Sequence, residues 1–152
     1  MDPEQEFLEG LIGTWVLEGH MNLGQPDGSV TVVPLRQSVE ARWILGGKFV
    51  EMWFRQTDGG EKPYEALYLL GFDTLSGKHV FHLYDTFGVS SSYRFGLGFR
   101  REDFVKYRFD YLTGPFFNEL IREENGDWSW VLTFEKDGAL QTFAEKRMRR
   151  AE

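Results

Sequence analysis

The sequence predicts an all-β fold: a closed, antiparallel, up-and-down barrel of about ten strands, preceded by one short helix. Three observations carry this reading. Turn-forming groups recur along the chain, at Asp27-Gly28, Asp58-Gly59-Gly60, Ser76-Gly77, Asn125-Gly126 and Asp137-Gly138, and they supply the positive backbone torsions of tight hairpins. Between them stand runs rich in β-branched and aromatic side chains. Aromatic residues make up 16% of the chain, with 14 Phe, 6 Tyr and 5 Trp, and so many rings need burial on strands.

At the start, Asp2-Pro3-Glu4 reads as an N-cap with proline in the first turn. Phe7, Leu8, Leu11 and Ile12 share one helical face, which predicts a helix over about residues 3–11, ended by Gly13. Strands are then expected near 14–23, 30–46 (with a break at Pro34), 48–56, 64–73, 78–85, 89–98, 103–112, 116–123, 128–135 and 139–149. A flat sheet of that length leaves two exposed edges, and closure into a barrel removes them. No repeat, low-complexity segment or linker divides the 152 residues, so a single domain over 1–152 is expected.

Alternation assigns faces. Trp15, Leu17, Gly19, Met21 and Leu23 oppose Val16, Glu18, His20 and Asn22; Val39, Ala41, Trp43 and Leu45 oppose Ser38, Glu40 and Arg42. Near 48–55 and 79–85 neither face is cleanly apolar, which fits either an interior carrying polar groups or an outer face covered by a partner.

The formal net charge of -7 speaks against non-specific nucleic-acid binding. The one basic cluster, Lys146, Arg147, Arg149 and Arg150, reads as a solvated tail. The chain has no cysteine, so disulfides, thiol nucleophiles and thiolate metal sites are excluded. Met1 to Gly10 is acidic and lacks an apolar signal core, and no stretch approaches the ~20 apolar residues of a membrane helix. A cytoplasmic protein that engages no membrane is the expectation.

Gly13-Thr14-Trp15, where a short helix enters the first strand, resembles the Gly-x-Trp signature of the calycin barrels, which include lipocalins and fatty-acid-binding proteins. The resemblance implies that Trp15 plugs the barrel's closed end beneath a basic residue of the last strand, Arg147 or Arg149. Arg42 to Val50, with Ile44-Leu45-Gly46-Gly47-Lys48-Phe49 at its centre, resembles a segment of an uncharacterised bacterial family with a calycin-like barrel, known as a domain of unknown function. Leu70-Gly71-Phe72-Asp73 and Tyr84-Asp85-Thr86-Phe87-Gly88 resemble further segments of it, in the same order. That resemblance implies a fold and no activity. Nitrobindin-type haem barrels also open with Gly-x-Trp, but Ala139 to Glu152 contains no histidine to hold their iron.

Chemistry-bearing groups are sparse. His20 falls on the outer face, and His79 and His82, three apart, point to opposite faces of a strand, so neither a metal site nor a cofactor is expected. Ser90-Ser91-Ser92 lacks a nucleophile elbow, and no phosphate loop is present. The candidates for lining a cavity are Trp43, Trp53, Tyr68, His82, Tyr84 and Tyr107, with Arg55 and Arg94 as carboxylate anchors if they face inward. The favoured reading is a binding module for a small, mostly apolar ligand, with no catalytic residue assigned. The alternatives are a filled barrel that dimerises through outer aromatics such as Phe81 or Phe95, and a haem-binding enzyme.

Overall fold

A computed structural model describes residues 2–57, 64–89 and 92–151. The expected turn at Asp58-Gly59-Gly60 and the residues Ser90-Ser91 lie outside the described residues. One helix, α1 (Pro3–Glu9), precedes β1 (Gly13–Gly24), β2 (Val30–Ile44), β3 (Phe49–Gln56), β4 (Glu65–Asp73), β5 (Lys78–Asp85), β6 (Phe95–Gly98), β7 (Arg100–Arg101), β8 (Phe104–Tyr111), β9 (Gly114–Arg122), β10 (Trp128–Lys136) and β11 (Ala139–Arg150). Each strand pairs antiparallel with its neighbour in sequence, except where β6 and β7 both pair with β8; β1 pairs with β11. β6 and β7 therefore act as one interrupted strand, and the ring closes as an antiparallel barrel of ten strands.

Closure is tight. At Gly98 a Cβ would stand 2.3 Å from the Lys106 carbonyl oxygen, so β6 meets β8 closely only because the side chain is missing. On the opposite wall a Cβ on Gly19 would lie 2.1 Å from the Glu145 carbonyl oxygen, which brings β1 against β11 in the same way.

Three expectations shift. β2 runs unbroken through Pro34, which pairs with His20 of β1; among the described residues β3 ends opposite Gln37, so β2 has a strand neighbour on one side only at that point. The strand expected over 89–98 is shorter, starting at Phe95. The helix ends at Gly10, and Gly13 instead opens β1 with φ 131°.

The helix closes one end of the barrel. The Asp2 carboxylate accepts from the Gln5 amide at 2.7 Å, the expected cap. Phe7, Leu8 and Leu11 are fully buried against the barrel. Carbonyls past the helix end, which lack helical partners, accept from indoles: Trp15 Nε1 donates to Leu11 O at 2.8 Å and Trp128 Nε1 to Gly10 O at 3.1 Å. His79, fully buried, and Arg100 both contact the Glu4 carboxylate, at 3.2 and 2.7 Å, and tie α1 to β5 and β7. Burial in this apolar site lowers the His79 pKa, against the raising effect of Glu4. Above this floor, Phe54, Tyr68, Phe81, Tyr107 and Trp130 pack edge-on or tilted, with Phe81 in contact with Tyr68, Tyr107 and Trp130 at 4.7–6.1 Å. Phe81, expected on the outer face, is therefore core: β5 turns its odd-numbered residues inward.

The Gly-x-Trp expectation holds in form, with a different basic partner. Arg150 lies over the Trp15 indole at 4.2 Å and donates to the Ile12 carbonyl at 2.9 Å. Gly13 leaves it room, since a Cβ there would stand 2.5 Å from the Arg150 guanidinium. Arg147 and Arg149 point outward and pair with Asp127 and Glu18 at 3.1 and 3.3 Å. The basic cluster is not a solvated tail: strand parity divides it, turning Lys146 inward with Ala144 and Met148 and setting Arg150, itself exposed, over Trp15.

Candidate functional site in the open half of the barrel

At the end away from α1 the core gives way to a cavity of about 660 Å³. Its walls are apolar, with Met21, Leu35, Leu83, Phe109, Phe116 and Leu132 among them. A β-bulge shapes one wall. Leu132 pairs with Ala144 and Thr133 with Thr142, so Phe143 is extra and both it and Ala144 reach the cavity.

Into this apolar space project a few polar groups. Lys146 stands on β11 opposite Gly19 and Trp130 and keeps part of its surface open to the cavity. Among the described residues its amine has neither a hydrogen-bond nor an ion-pair partner. Desolvation lowers its pKa from 10.5 to about 8, partly offset by the charge of Asp85. Asp85 ends β5 on an inward position; it accepts from Tyr64 Oη at 3.2 Å and from the Phe87 amide at 3.0 Å. Burial raises its pKa in spite of these bonds. Burial likewise raises the hydroxyls of Tyr64 and Tyr68, and that of Tyr111 to about 12. Gln37 and Asn118, at 1% and 2% exposure, line the cavity, and the side-chain oxygen of each lacks a hydrogen-bond partner. Such buried groups are normally satisfied, so they mark a place where a bound polar atom is welcome.

The structure scatters the residues singled out from sequence. Tyr68 lines the cavity, and Tyr107 is fully buried within the ring cluster, its hydroxyl without a partner. Trp43 is on an inward position but at the closed end, where Nε1 donates to Glu9. The other five face outward. Trp53 donates to Glu51 at 3.2 Å and lies under the Arg55 guanidinium at 5.3 Å. His82 packs at a tilt against Phe95, Tyr84 is exposed, and Arg94 donates to the Asp110 carbonyl at 3.0 Å. Neither Arg55 nor Arg94 reaches the cavity as an anchor. The inward cation is Lys146, which sequence reasoning assigned to a tail. Its spacing puts it on one face with Ala144 and Met148, and the barrel decides that this face is the inner one.

The three histidines lie away from the cavity: His79 at the closed end, His20 and His82 on the outer face. Among the described residues no three of His, Asp and Glu are grouped as a metal site, and no helix is long and apolar enough to cross a membrane.

The family described as "Protein of unknown function (DUF1579)" matches residues 1–94, more than half of the chain. The chain belongs to that family. The match spans Arg42 to Val50 and Leu70 to Gly88, the segments that implied a family of unknown function, and the structure explains those segments. Leu45, Gly46 and Gly47, with φ of 53°, 69° and 78°, build the β2–β3 turn. Asp73 caps the β4–β5 turn through the Leu75 amide at 3.1 Å and the Ser76 hydroxyl at 2.6 Å. Asp85 is the one acid of these segments that enters the cavity. The match ends before β8–β11, which supply Asn118 and Lys146. No curated protein matches the chain.

Proposed function

We propose that this barrel binds a small, mostly apolar molecule whose polar end meets Lys146, Asp85 and Tyr64, as a lipocalin-like carrier rather than an enzyme. The supporting observation is the cavity itself, whose volume of about 660 Å³ falls in the range of small-molecule sites and whose apolar walls hold a few convergent polar groups. Burying an amine without a partner is unfavourable. Its presence in this cavity is accounted for if a ligand completes it.

Displacement of an environment-sensitive naphthalene dye, with native mass spectrometry, tests the reading. The dye should bind one per chain, and Leu83→Trp, which fills the cavity, should weaken it at least tenfold with the circular dichroism unchanged. Dye binding untouched by Leu83→Trp refutes the site.

A second reading is association of two copies through the outer face of β6. Tyr93, Phe95 and Phe99, at 59%, 50% and 57% exposure, support it. Sedimentation giving a strict monomer at high concentration removes it. With no histidine beside the cavity, the haem reading has no support in the geometry.

A further inference from the structure

We infer that Lys146 captures an aldehyde or ketone of apolar character inside the barrel as a reversible imine. This deepens the binding reading and rests on it. The geometry has four parts. Lys146 is the one amine on the cavity wall among the described residues, and no carboxylate there holds it in an ion pair. The surrounding walls are apolar, which suits a hydrocarbon body. Asp85, hydrogen-bonded by Tyr64, faces the same space and acts electrostatically on Lys146. Gln37 and Asn118 present unpartnered side-chain oxygens to the cavity.

These features favour a neutral carbonyl over a carboxylate. A second carboxylate placed beside Asp85 would meet like charge, and the cavity offers one cation to serve both. A carbonyl avoids that repulsion and uses the free lone pair of the amine. The amine nitrogen attacks the carbonyl carbon, a C–N bond forms, and the π pair becomes an oxyanion that takes up the proton released by nitrogen. Asp85 takes the proton that the Lys146 ammonium gives up as the free amine forms, and the resulting hydroxyl leaves as water when Asp85 delivers that proton to it. The C–O bond breaks, the nitrogen lone pair forms the C=N bond, and the Asp85 carboxylate balances the iminium charge. Gln37 and Asn118 can accept from the carbinolamine hydroxyl before it departs. Nothing is oxidised or reduced, and water reverses each step. Desolvation helps: at neutral pH a pKa of about 8 leaves about a tenth of the amine as nucleophile, against roughly three in ten thousand at 10.5.

The full chain is incubated with decanal, with decan-1-ol and decanoate as controls, and then reduced with sodium cyanoborohydride. The expected product is one adduct, heavier by the aldehyde less its oxygen, that peptide mapping places on Lys146. It should form at least tenfold faster than on Lys48, Lys62, Lys78, Lys106 or Lys136. Lys146→Arg, which keeps the charge, and Lys146→Met should both abolish it, with melting transitions confirming that each is folded. If decanal displaces the dye but labels no lysine, or labels all of them alike, imine capture is wrong and the binding reading stands. If decanoate displaces the dye and decanal is not trapped, the anchor serves an anion and the inference is again overturned. If none of the three displaces the dye and no adduct forms, imine capture and the apolar-ligand reading fall together.

Discussion

Replacing Lys146 by Met should make the protein more stable at neutral pH. Folding moves this amine from water into an apolar cavity, and its pKa falls from 10.5 to about 8. That drop corresponds to about 3 kcal/mol of destabilisation while the amine stays charged. Part of its surface remains open to the cavity, where water screens it, so a net gain of about 1–2 kcal/mol is expected for Lys146→Met. The pH dependence identifies the cause. Below pH 8 both the folded and unfolded chains hold the proton, and the full penalty applies. Between pH 8 and 10.5 the unfolded chain binds more protons than the folded one, so the stability contributed at this position rises with pH. The advantage of Lys146→Met should therefore be largest at pH 7 and shrink by pH 9.5. Tyr64, Tyr68, Tyr107 and Tyr111, raised by burial, pull the other way in alkali, but they are common to both proteins and cancel in the difference. Urea unfolding of both proteins at the two pH values measures it. A variant less stable than the parent at pH 7, or a gain that does not change with pH, refutes the reasoning.

Arg150→Ala should cost about 1–2 kcal/mol through loss of the stack on Trp15 and the bond to Ile12, with altered tryptophan fluorescence; Arg147→Ala and Arg149→Ala should stay within about 0.5 kcal/mol, and equal effects for all three would contradict the assigned parity. Gly19→Ala should destabilise by more than about 2 kcal/mol or block folding, since its Cβ would overlap the Glu145 backbone; a melting temperature within two or three degrees of the parent's would show that the strands have room. Acidification should loosen α1. The lowered pKa of buried His79 means that the undocked state takes up a proton first, so docking weakens as pH falls below 6.5. Hydrogen exchange of Phe7 and Leu8 should speed up at pH 5 relative to β-strand amides, and His79→Gln should flatten that dependence; the same slope in His79→Gln would assign it to another group.

Much of the architecture was legible because it rests on local rules. Strand periodicity and Gly-containing turns act over a few residues, so β1, β3, β4, β5 and β8 fall within about two residues of expectation. Asp2 capped its helix as its type and position required. The face of a strand is less local. In β5 both alternating sets mix aromatic and polar residues, and the sequence offered no reason to prefer Phe81 over His82 as the core residue. The barrel decided it, because Phe81 has Tyr68, Tyr107 and Trp130 around it. Trp53, Arg55, His82, Tyr84 and Arg94 were assigned to a cavity on chemistry alone; parity carried the first four outward, and Arg94, before β6, bonds the Asp110 carbonyl on the outer face.

The last strand shows where sequence information ends. That β11 supplies a lid for Trp15 was implied by the Gly-x-Trp resemblance, and that it is basic and carries no histidine follows from its residues. Which arginine forms the lid does not, because the bulge at Phe143 changes the phase of alternation midway and only pairing with β10 reveals it. The same change of phase turns Lys146 inward. The sequence by itself determined a closed barrel of ring-rich strands led by a short helix, since hairpin turns, alternation and edge removal leave few other arrangements. The tertiary structure alone decided that the filling stops halfway and that an unpaired amine faces the remaining space, since both depend on strands more than a hundred residues apart meeting in one register.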